Sequence, residues 1–103
     1  MPPRRFLCSH LVALGDHTVN LEEIWTSGAI LEAETAVTYG AQVKLRCGSM
    51  IFEGRIVEVE PHEFGWRFEV EFSSKTPWRP EEFRPDHLVD PSSLGKDRGE
   101  QRD

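Results

Sequence analysis

The sequence predicts a mainly-β domain, a small antiparallel barrel of six strands with short helical turns toward the C-terminus. Three observations carry that expectation. In Trp66-Arg67-Phe68-Glu69-Val70-Glu71-Phe72, aromatic and β-branched residues alternate strictly with charges, the pattern of a strand with one buried and one wet face. Residues 42–47 repeat it, with Val43, Leu45 and Cys47 on one face and Gln42, Lys44 and Arg46 on the other. About six such short segments follow one another at close spacing with turn residues between them, which suits a closed barrel better than an open sheet with exposed edges.

In chain order, residues 6–14 read as a first strand with some apolar character on both faces. Gly15-Asp16-His17 is a turn, and residues 18–24 form the second strand. Trp25-Thr26-Ser27-Gly28 reads as a kink that leads into a third strand over 29–33, and residues 35–40 are a connector. The segment 50–60 slips in parity: Met50 and Phe52 favour one face, Val57 and Val59 the other. An extra residue near Gly54 reconciles them, since a bulge flips side-chain parity. Gly48-Ser49 and Pro61-His62-Glu63-Phe64-Gly65 are turns that join 42–47, 50–60 and 66–72 into a meander. Pro80-Glu81-Glu82-Phe83 has the proline and acids of a helix first turn, and Pro85 and Pro91 limit the segment beyond it to short turns. Trp78, between Pro77 and Arg79, is expected to cover an open barrel end. The barrel domain therefore spans 1–91, and the polar tail 92–103 is expected to be disordered.

The 103 residues suit one domain with a modest core and little room for a deep cleft. Twelve Lys and Arg stand against 18 Asp and Glu, a formal charge of −6, which disfavours a long nucleic acid as partner. The charge is uneven: Arg4 and Arg5 open the chain with no acid before Asp16, so a small anion held by a basic arm remains open. No apolar run approaches the roughly 18 residues needed to span a bilayer. The N-terminus lacks the apolar stretch and cleavage site of an export signal. A cytoplasmic protein with two free thiols, Cys8 and Cys47, is the expectation.

Catalytic chemistry finds little footing. No nucleophile elbow, phosphate loop, dinucleotide fingerprint or His-Glu-x-x-His pattern is present, and Asp16-His17 and Asp86-His87 lack a neighbouring nucleophile. Cys8, His10 and Cys47 are metal-binding residue types, but their scatter lacks the paired spacing of structural zinc sites. The sequence thus points to a binding domain with no enzymatic activity and no resident cofactor.

One constellation stands out. An Arg-Arg arm precedes a strand, a hairpin and a kink ending in Gly28-Ala29-Ile30-Leu31. Gly40-Ala41-Gln42-Val43, Gly54-Arg55-Ile56-Val57 and Phe68-Glu69-Val70-Glu71-Phe72 come after it. This order resembles the PilZ family, bacterial signalling receptors for cyclic di-GMP built on a six-stranded barrel with a C-terminal helix. The resemblance covers residues 4–72. It implies cyclic di-GMP as ligand and Arg4, Arg5, Glu23, Trp25 and Gly28 as the contact positions.

The ligand motifs depart from the family pattern. Its arginines are separated by three residues, whereas Arg4 and Arg5 are adjacent, and Cys8 and Ser9 stand where a second arginine belongs. Two guanidiniums on an arm can clamp a guanine edge and a phosphate, and adjacent arginines project differently. In the second motif, Asp or Asn followed by Ser and Gly, alignment on Gly28 puts Glu23 at the acid and Trp25 at the serine. Glu23 can still accept from a guanine edge. Trp25 either stacks on a base or packs over the barrel mouth. Two functions are consistent with this: a PilZ-type signalling domain, either a cyclic di-GMP effector or a degenerate form that binds it weakly or not at all, or a nucleotide-independent adapter for a protein partner. An unrelated SH3- or Tudor-like barrel is the third reading.

Overall fold

The computed structural model describes residues 4–90. Six antiparallel strands make up the fold: β1 (Phe6–Leu14), β2 (His17–Trp25), β3 (Gly28–Ala33), β4 (Gln42–Cys47), β5 (Met50–His62) and β6 (Gly65–Phe72). Their order in the sheet is β1-β2-β3-β6-β5-β4, and β4 returns to β1 to close the barrel. The tail expected over 92–103 lies outside the described residues.

Two-residue hairpins join β1 to β2, β2 to β3, β4 to β5 and β5 to β6, which explains the antiparallel register. Gly15 and Gly48 each open such a turn with φ near +60°, the conformation a type II′ hairpin demands at its first central residue. The segment 25–28 is thus a hairpin turn in which Trp25 pairs with Gly28, not a kink within a strand.

The inward residues meet as the alternation requires. Leu45, Cys47, Phe68, Val70 and Phe72 are buried in one cluster with Leu21, Ile24, Leu31, Phe52 and Ile56. Val43 and Trp66, expected in the same core, are only partly covered. The parity change in β5 falls between Ile56 and Glu58, two residues beyond the expected position. Gly54 serves a different purpose, because a Cβ there would lie 2.4 Å from the Glu71 carbonyl oxygen and 2.8 Å from Val70. Its bare backbone lets β6 approach.

The barrel closes narrowly. β1 and β4 pair only at Ala13–Arg46 and Leu14–Leu45, leaving the first half of that β1 edge without a strand. The segment after β6 covers it. Leu7 and Val89 exchange both backbone hydrogen bonds, at 2.8 and 2.7 Å, and Ser9 N–H donates to the Asp86 carbonyl at 3.1 Å. Trp78 anchors this strap. It is 1% exposed, donates from Nε1 to the Phe83 carbonyl at 2.7 Å and meets Phe6 edge-on at 5.5 Å. It thereby covers the barrel end formed by the start of β1 and the β2–β3 turn, where its own N–H donates to the Thr26 carbonyl.

The C-terminal helical turns expected from the sequence are not found; the described residues contain no helix. Glu82 and Phe83 N–H both point to the Arg79 carbonyl, at 3.0 and 3.3 Å, and the turn goes no further. Pro85 has no N–H to extend it; beyond it Asp86 and His87 make a separate turn, with His87 at φ 58°, and Val89 then pairs with Leu7 of β1.

Phe68 is 1% exposed at the centre of β6. Replacing it with Ala should cost about 3–5 kcal/mol in a urea unfolding titration. A variant that unfolds at the wild-type midpoint would contradict this core.

Candidate functional site

β2 sets the geometry. Ile24 points into the core, so its neighbours Glu23 and Trp25 belong to the outer face. Phe6 pairs with Ile24 and Leu7 with Glu23, which brings the residue before β1 alongside Trp25. Arg5 is that residue. Its guanidinium carbon lies 4.0 Å from the Trp25 ring centroid, a cation–π stack.

Trp25 is only 3% exposed although it faces outward. Arg5 covers it on one side. On the other lies Gly28, where a Cβ would stand 2.9 Å from the indole ring and 2.6 Å from the Val70 carbonyl oxygen. Gly28 therefore makes room for both the tryptophan and β6.

The remaining two residues are drawn elsewhere. Arg4 forms an ion pair with Asp90, directly after the strap, and its guanidinium sits 5.6 Å from the Phe6 ring centroid. Glu23 accepts from Arg67 of β6 at 3.2 Å. Arg67 also approaches Glu32 at 3.6 Å, and Glu32 is 2.8 Å from His62 Nε2. The structure thus brings Arg5, Trp25 and Gly28 together and engages Arg4 and Glu23 with other side chains. Sequence reasoning missed Arg67 and Asp90, whose signal is only that each is an opposite charge; nothing local links them to Glu23 or Arg4.

A groove of about 580 Å³ lies over β4, β5 and the end of β6. Lys44, Glu53, Arg55 and Glu71 line it, and none of the five sequence-derived residues does. Among the described residues no group of three His, Cys, Asp or Glu is placed to hold a metal ion. His10 instead accepts from the Asp86 N–H at Nδ1, 3.1 Å away, and packs edge-on against Phe83. The two thiols face inward. Burial, with Glu22 and Glu23 adding, pushes Cys8 up to about 12, and burial, with Cys8 adding, does the same to Cys47. Neither thiol is a ready nucleophile.

Against protein-family models, curated proteins and solved structures alike, the chain has no match.

The raised thiols fix the sign of an alkaline pH dependence. From the usual value of 9.0 up to about 12 the unfolded chain loses thiol protons that the folded chain keeps. Stability should therefore fall as pH rises through that window. Denaturant titrations across it should show a shallower decline for Cys47→Ala than for wild type. Equal slopes would contradict the buried-thiol reading.

Proposed function

We propose that this chain is a PilZ-type binding domain that works without a nucleotide, as an adapter for a protein partner in the cytoplasm, and not as an enzyme. The observation that carries this reading is the Arg5 guanidinium lying on the face of a buried Trp25. A guanine base would need that face, and the indole fills the volume that a serine would leave open.

The other contact positions support the same reading. Glu23 would meet a guanine edge only by giving up Arg67, and Arg4 would reach a phosphate only by leaving Asp90. Tight binding of a dianionic dinucleotide wants several bidentate, charge-assisted contacts formed together. Here each of them begins from an existing contact, so binding must first break what the fold has made.

A calorimetric titration with cyclic di-GMP tests the proposal. The expected dissociation constant is on the order of tens of micromolar or weaker, about 6 kcal/mol or less. It should weaken further with salt, because the arm is exposed. Arg4→Ala/Arg5→Ala should abolish any residual binding and leave the core packed. A submicromolar constant at moderate salt would overturn the reading and return the domain to the nucleotide effectors.

A further inference from the structure

At the barrel end opposite Trp78, the β5–β6 hairpin turns through Glu63 and Phe64. Phe64 is 88% exposed at its tip. An aromatic ring held in water contributes nothing to the core; a single exposed apolar residue is ordinary on a protein surface, so its meaning comes from the groove it borders. Trp66, two residues on and partly buried, lines a groove together with it.

Gly65 explains how the groove is built. A Cβ there would fall 2.1 Å from the Ala33 carbonyl oxygen, so only glycine lets the hairpin backbone press against the end of β3. The contact sets Phe64 and Trp66 beside Ala33 and Glu34, around a groove of about 250 Å³. A second groove of about 370 Å³ continues toward the β1–β2 hairpin, and the two share Asn20, Glu32, Ala33 and Glu34. Together they form a channel across the start of β2 and the end of β3.

The charge of this channel is one-sided. Glu32, Glu34 and Glu63 line it together with His17 and His62, and neither groove has a lysine or arginine in its wall. Glu32 is already engaged by His62 and Arg67, but among the described residues Glu34 and Glu63 have no ion-pair partner. The groove over β4 and β5 differs, since Lys44 and Arg55 there balance Glu53 and Glu71.

We infer that the Phe64–Trp66 channel is the docking site for an arginine- or lysine-rich segment of a protein partner. The aromatic faces attract a guanidinium or ammonium, and Glu34 and Glu63 neutralise it. Aromatic residues and arginine are also the types that anchor protein interfaces. The inference rests on the adapter reading and adds a surface at the far end of the barrel from Arg5 and Trp25.

Fluorescence anisotropy with a labelled peptide of alternating arginine and glycine tests it on the full chain. Phe64→Ala should weaken binding about fivefold, the loss of one cation–π contact. Glu34→Lys/Glu63→Lys should weaken it by more, while Glu53→Lys/Glu71→Lys, with the same net charge, should change it less than about twofold at moderate salt. All substituted positions are on the surface, and thermal melts identify any variant that fails to fold. Equal weakening by the two charge-reversed proteins, an unaltered constant for Phe64→Ala, or no binding by wild type would overturn the inference. Those outcomes leave the cyclic di-GMP titration untouched, and tight nucleotide binding would sink the adapter reading without altering the peptide result.

Discussion

The seam between β1 and β4 governs this fold. Two residue pairs close the barrel, and half of one β1 edge would be left with unpaired backbone groups if nothing else covered it. The strap covers it by pairing Leu7 with Val89 and Ser9 with Asp86, and Trp78 fixes the strap to the core. A single closure problem thus explains why a segment without helix or strand of its own is held so firmly. It also fixes the start of β1, to which the N-terminal arm is attached.

The state of the candidate site depends on that closure. Asp90 comes directly after the strap residue Val89, so the strap delivers the carboxylate that engages Arg4. With Phe6 registered opposite Ile24, Arg5 is carried over Trp25, and Gly28 leaves room for the indole and for β6. Glu23 is held from the other side by Arg67, within a chain of contacts that runs through Glu32 to His62. The arm and the β2–β3 hairpin form a surface in which Arg4, Arg5 and Glu23 are each engaged by side chains of the domain itself.

The strands were legible in the sequence because their signal is local: a period of two, with glycines where hairpins demand positive φ. The bulge in β5 was legible as a parity change, but its place was not, because Gly54 suggested a bulge while serving the approach of β6. The C-terminal segment misled for a similar reason. Proline followed by acids is a helix signature at short range, whereas the pairing of Val89 with Leu7 joins residues at opposite ends of the domain. Arg5, Trp25 and Gly28 could be picked out one by one, yet their stack depends on register. Glu23 gave no sign of Arg67, 44 residues away. Phe64 read as one residue of a turn, and only the packing of Gly65 against Ala33 reveals the groove beside it.

Everything at this end of the barrel follows from the arm resting on Trp25. Side-chain NMR of Arg5 tests it most directly, since protons over an indole face are shifted upfield by the ring current. Arg5 side-chain resonances should lie upfield of their random-coil positions in wild type and return to those positions in Trp25→Leu. Random-coil shifts for Arg5 in the intact protein would contradict it, leaving the Trp25 face open to a ligand.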